Sequence, residues 1–142
     1  MKIRVMYANY NEETGESIVT IATDLGQFTG HSKLAEEDKD IASRYAGCEF
    51  AERRAHIKYW KAQKFIYMQR LKALEDLEKN LKGRADYDPY CTECRKIRRA
   101  IYEYKELVSE CTNKIELMTS QLKEVIIKRE ETARRVKKMI AK

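Results

Sequence analysis

Alternating steps of four and three residues through the last third of the chain pick out Tyr90, Cys94, Ile97, Ile101, Tyr104, Val108, Cys111, Ile115, Met118, Leu122, Val125, Arg129, Thr132, Val136 and Met139. Only Arg129 and Thr132 in that row are polar. An apolar repeat of 3.5 residues kept over so many turns marks a helix packed along a coiled-coil-like seam on a second helix. The spacing predicts one helix from Asp88 to about Met139, on the order of 75 Å long at the helical rise per residue.

The partner helix lies just upstream. From Cys48 to Leu81 there is no Gly or Pro, and Phe50, Ile57, Trp60, Tyr67, Leu71, Leu74 and Leu81 recur at helical steps, with Arg53, Lys64 and Glu78 spoiling the row. Residues 82–88 read as the turn. Gly83 is placed to end the first helix, and Asp88 followed by Pro89 to cap and start the second. A turn this short makes the two helices antiparallel neighbours. The first helix has about two-thirds of the second's length, so the stretch from Val125 to Met139 is left without a partner inside the hairpin. Either the N-terminal sheet and a short helix at residues 32–45 cover it, or Leu122, Val125, Arg129, Val136 and Met139 form a seam for another subunit or a partner protein, with a homodimer the favoured form.

The N-terminal third changes period. Ile3, Val5 and Tyr7 alternate with more polar neighbours, residues 9–15 read as a turn, and Ser17–Thr23 is a second β-rich run. Asp24-Leu25-Gly26 turns the chain into a short third segment, Gln27–Gly30. Residues 32–45 read as a short helix, acidic early and ending near Arg44, with Ala46-Gly47 as its break. The expected fold is α+β, mostly α: an N-terminal three-stranded antiparallel β-meander plus short helix over residues 1–47, then a long antiparallel helical hairpin over 48–142. The two parts are expected to form one cooperative domain.

Composition narrows the class. Charged residues make up 37% and apolar ones 43% of the 142, a balance that suits long solvated helices, and the clear periodicity argues against a disordered chain. No run approaches the roughly 18 apolar residues of a membrane span, and Met1-Lys2-Ile3-Arg4 lacks the apolar core of a signal peptide. A cytoplasmic protein with no membrane partner is expected. Its cysteines, Cys48, Cys91, Cys94 and Cys111, then read as reduced thiols. The net charge of +6 divides unevenly: residues 1–47 carry 5 basic and 8 acidic side chains, and residues 48–142 carry 24 and 15.

Four groups of residues carry chemistry. Cys91 and Cys94 form a CxxC at the start of the second long helix, where thiols one turn apart share a face and the helix N-terminus favours thiolate, so that the pair suits a metal or redox work. One such pair supplies half of a tetrahedral zinc site, so a metal here requires two chains meeting tip to tip, and packing in the seam is the simpler role. No cofactor is expected. Two basic clusters, Arg95, Lys96, Arg98 and Arg99, and Arg134, Arg135, Lys137 and Lys138, have the density that contact with a phosphate backbone needs, though a solvated helix face has the same look. His31, Lys33, Arg53, Arg54 and His56 fall where sheet and helices must join, and supply donors for a ligand such as a nucleotide. Gly26-x-x-x-Gly30 lacks the Lys-Ser/Thr of a phosphate loop, and neither His31 nor His56 stands with the nucleophile and acid pair that triad chemistry needs. The chain is accordingly read as a non-enzyme.

The run from Thr23 to Tyr59, TDLGQFTGHSKLAEEDKDIASRYAGCEFAERRAHIKY, followed by a charged helical hairpin, resembles small uncharacterised proteins of phages, prophages and mobile elements of Gram-positive bacteria. The similarity covers residues 1 to about 80 best. The resemblance brings no activity and no site residues, and implies a setting: an accessory protein in a bacterial host cell that binds a host protein, such as an antiviral-defence component, and inhibits it. The leading expectation is a binding protein acting through its helical hairpin. The alternative is a nucleic-acid or nucleotide binder using the basic clusters or the 31–56 junction.

Overall fold

A computed structural model of the chain describes residues 3–11, 13–33 and 44–141. It is an α+β fold, mostly α: a three-stranded antiparallel sheet in the order β1 (Arg4–Tyr10), β2 (Glu16–Thr23), β3 (Gly26–Lys33), then the long helices α1 (Arg44–Lys82) and α2 (Thr92–Ala141). No helix is long and apolar enough to cross a membrane among the described residues. The chain divides into two units, one made of residues 1–59 with 115–142 and the other of residues 60–114.

In the first unit, local chemistry fixes the meander. Asn11 holds the β1–β2 turn by accepting the Glu13 amide on its side chain at 3.0 Å and the Gly15 amide on its carbonyl at 2.7 Å. Thr23 closes the next turn, its hydroxyl accepting the Leu25 amide at 3.1 Å and donating to the Gly26 carbonyl at 2.8 Å. Gly26 has φ of 112°, left-handed backbone that L side chains rarely adopt. β2 and β3 pair without a break from Glu16↔Lys33 to Thr23↔Gly26, whereas β1 carries a bulge at Met6.

The period of two sorts the sheet's faces. Ser17, Val19 and Ile21 of β2 and Gly30 and Ser32 of β3 are buried, while Val5, Met6 and Tyr7 on β1 remain exposed. Against the buried face α1 lays a row at steps of four: Gly47, Ala51, Ala55 and Tyr59. The approach is backbone to backbone. A Cβ on Gly30 would overlap the Ala51 carbonyl and reach 2.7 Å from the Ala55 amide, and one on Gly47 would overlap the Ser17 hydroxyl. At the far end of the row Tyr59, fully buried, meets Phe28 edge-on at 5.8 Å and donates to Asp24 at 2.8 Å.

Several boundaries differ from the sequence reading. β3 runs on through Ser32 and Lys33, which belong to the sheet and not to a short helix; of the rest of that expected helix, residues 34–43 lie outside the described residues, and Arg44 and Tyr45 belong to α1. α1 starts at Arg44 and passes through Gly47 unbroken, because that glycine is needed for contact with Ser17 and is not a stop. α2 starts at Thr92. Asp88 and Pro89 form a separate turn in which the Asp88 side chain accepts the Tyr90 amide at 2.9 Å, and Tyr90, at 74% exposure, leaves the seam.

The second unit is an antiparallel helical hairpin. Leu81, Cys94, Ile97 and Ile101 form a buried cluster, joined by Leu71, Leu74 and Cys91. Tyr67 and Tyr104 pack at 6.0 Å, Gln63 donates to the Tyr67 hydroxyl at 2.6 Å, and the Lys114 ammonium sits 4.6 Å from the Trp60 ring centre. Every seam position of α2 from Cys94 to Leu122 is buried or half-buried, as the heptad row requires.

Candidate functional site

Beyond Leu122, α2 continues as helix to Ala141, yet every described side chain from Lys123 to Ile140 is exposed. Ile126, Ile127, Met139 and Ile140 are among them, the last two at 78% and 79% exposure. Of the expected partner seam, Leu122 is half-buried and Met139 open; the side chains of Val125, Arg129 and Val136 lie outside the described residues. Basic residues surround the apolar ones. From 123 to 140 the sequence has Lys123, Lys128, Arg129, Arg134, Arg135, Lys137 and Lys138 against Glu124, Glu130 and Glu131.

The 31–56 junction does not converge on one site. His31 and Lys33 stand on the exposed face of β3, opposite the buried Gly30 and Ser32. Arg54 donates to the His31 carbonyl at 2.7 Å and Lys58 to the Thr29 carbonyl at 2.6 Å. Both carbonyls lie on the edge of β3 away from β2, so these side chains satisfy a strand edge that would otherwise be open. Arg53 and His56 turn elsewhere, with Arg53 paired to Glu49 at 2.6 Å and His56 3.7 Å from Glu52. Together with Met118 and Gln121 these four line an open groove of about 270 Å³. The Glu49 and Glu52 carboxylates one helical turn from Arg53 and His56 offset positive charge there, which leaves little field to hold a phosphate.

Arg95, Lys96, Arg98 and Arg99 are all exposed, as are Arg134, Arg135, Lys137 and Lys138. Part of the first cluster is engaged: Arg98 donates to the Pro89 carbonyl, and Arg99 pairs with Glu103 at 3.4 Å. Tyr102 hydrogen-bonds Glu106, whose carboxylate pushes the phenol pKa up.

At the hairpin tip the Arg95 amide donates to the Cys91 carbonyl at 3.1 Å, which makes Cys91 the N-cap of α2. Its sulfur also accepts the Cys94 amide at 3.3 Å. A hydrogen bond to Cys91 and then burial raise the Cys94 thiol pKa. Burial is also the main cause of a raised pKa at Cys111, with Glu110 adding and Lys64 and Lys114 opposing. Among the described residues no three of His, Cys, Asp and Glu gather in a metal-binding arrangement. No protein-family model, no curated protein and no solved structure matches the chain.

Two features escaped the sequence reading. The row Gly47, Ala51, Ala55 was legible as small residues at steps of four, a pattern of close helix approach that a search for large apolar side chains passes over. The sulfur cap had no signal beyond the CxxC itself, because Asp88 is the stronger capping residue by type.

Proposed function

We propose that this chain is a non-enzymatic binding protein that takes a macromolecular partner, a protein, on the C-terminal end of α2. The observation that carries the reading is that every described side chain from Lys123 to Ile140 is exposed on a segment that stays helical. An isolated helix end gains little from exposing isoleucine and methionine, whereas a partner that covers them gains roughly 1.5–3 kcal/mol for each large side chain fully buried. Charge selects the partner's chemistry. Parallel, in-register self-pairing would set Arg129 on Arg129 along the heptad row, whereas a partner with acidic residues flanking an apolar stripe meets the same face favourably. The resemblance of residues 23–59 to phage and mobile-element proteins supports a host protein as that partner, with inhibition as the outcome.

The test is capture of partners from a bacterial lysate, with and without nuclease, by the wild-type chain and by a Met139→Asp, Ile140→Asp variant. A protein partner that survives nuclease and is lost with the variant is expected. Equal capture by both proteins would remove the helix end from the reading.

Exposure of all eight residues of the two basic clusters favours one alternative, nucleic-acid binding. It requires affinity for labelled duplex that falls steeply as salt rises and is lost when Arg134, Arg135, Lys137 and Lys138 are changed to Ala. Absence of binding at low salt would end it.

A further inference from the structure

The hairpin tip holds two thiols in the first turn of α2. Cys91 is half-buried and stands at the N-cap, and Cys94, one turn on, has 8% exposure. The Cys91 sulfur folds over the turn to accept the Cys94 backbone amide at 3.3 Å, which holds it against the residue one turn on. Residues three apart in a regular helix have Cβ atoms about 5–6 Å apart, against about 3.5–4.5 Å in a disulfide. Cys91 precedes the first helical residue, Thr92, so its backbone is not held at helical angles and can close that gap. Cys111 lies about 25 Å further along α2 by helical rise, out of reach.

We propose that Cys91 and Cys94 form a reversible dithiol–disulfide couple that exchanges with small-molecule disulfides, with Cys91 attacking and Cys94 resolving. This couple is independent of the binding face on the end of α2. The more accessible sulfur meets the external disulfide first. Cys91, as thiolate, attacks one sulfur of RSSR, so the bond between Cys91 and SR forms, the S–S bond of RSSR breaks, and the departing RS⁻ takes up a proton as RSH. Cys94 then gives its proton to solvent base and attacks the Cys91 sulfur. That expels the second RS⁻, protonated in turn, and closes the Cys91–Cys94 bond. Two protein thiols are oxidised and one RSSR is reduced to two RSH; an excess of RSH runs the steps backwards. Cys94, at 8% exposure, is the less accessible of the two sulfurs, which fits a resolving role and not an attacking one.

The test uses the full chain in glutathione buffers of graded oxidised-to-reduced ratio, followed by alkylation, unfolding, a second alkylation and peptide mass spectrometry. The wild type is expected to lose two of its four thiols, both in the peptide that holds Cys91 and Cys94, with no lasting glutathione adduct. Cys94→Ser should accumulate one glutathione on Cys91, and Cys91→Ser should leave Cys94 unreacted while the serine hydroxyl keeps the helix capped. The proposal is overturned if the wild type keeps four thiols in excess oxidised glutathione, if the disulfide links two chains, or if Cys94 takes up glutathione in the Cys91→Ser variant.

Discussion

On the buried face of the sheet, Gly30 and Ser17 meet α1 in opposite ways. Gly30 is the only residue type that fits, since any Cβ would overlap the Ala51 carbonyl and press on the Ala55 amide, and neither backbone atom can move without displacing the helix. Gly30→Ala should cost at least about 2 kcal/mol, in the range of overpacked cores. Urea unfolding followed by circular dichroism measures it, with Gly83→Ala as a control whose nearest neighbours would stand at 3.5 and 3.8 Å. Ser17 fits by size but not by chemistry, because its fully buried hydroxyl has no hydrogen-bond partner among the described residues. Ser17→Ala removes that burden, and the same unfolding curves should show a gain of about 1 kcal/mol; a loss would mean that the hydroxyl is bonded after all. Cys111 makes a third case. Its thiol pKa is raised in the folded chain, chiefly by burial, so below its ordinary value both folded and unfolded chains hold the proton and stability does not change. Above about pH 9 the unfolded chain releases that proton first, and stability falls as pH rises toward the folded value. Cys111→Ala should flatten this alkaline loss between pH 8 and about 10 relative to wild type.

At the scale of elements, the two edges of the sheet are managed differently. On β3 the outward carbonyls of Thr29 and His31 are taken by Lys58 and Arg54 from α1. On β1 a bulge at Met6 breaks the register and Val5, Met6 and Tyr7 stay exposed. Replacing Arg54 and Lys58 together with Met keeps the stems and removes the donors. The expected outcome is a small loss of stability, about 1–2 kcal/mol, and a new tendency to associate through β3, seen as higher mass in light scattering. Unchanged mass and stability would show that water serves those carbonyls equally well. These elements also show what the sequence could reveal. Three strands and two long helices were legible, because alternation, turn residues and the heptad row are local properties of the chain. The starts of α1 and α2 were not, for Gly47 and Asp88 each have a role that depends on a partner: Ser17 across the fold for the one, the Tyr90 amide in a separate turn for the other. The junction residues were legible as donors, but where each is aimed depends on the strand edge above them.

For the whole molecule, α2 has 50 residues and α1 has 39, so the longer helix has more surface than its neighbour can cover along its length. Along α2, Leu122 is half-buried, and every described side chain from Lys123 to Ile140 is exposed. None of the described side chains of that segment joins the core, and isoleucine and methionine exposed on a helix mark a surface suited to cover by something outside the fold. A chain ended after Leu122 should therefore unfold within about 1 kcal/mol of the full chain, as changes away from buried groups do, while losing the partner captured by the wild type. Because Lys and Arg outnumber Glu there by seven to three, the rate of partner association in the full chain should fall as salt rises from 0.05 to about 0.5 M, with a smaller effect on dissociation. Stopped-flow mixing at several salt concentrations separates the two rates. If the shortened chain is instead destabilised by several kcal/mol, the end of α2 belongs to the fold, and the partner must be sought on another face.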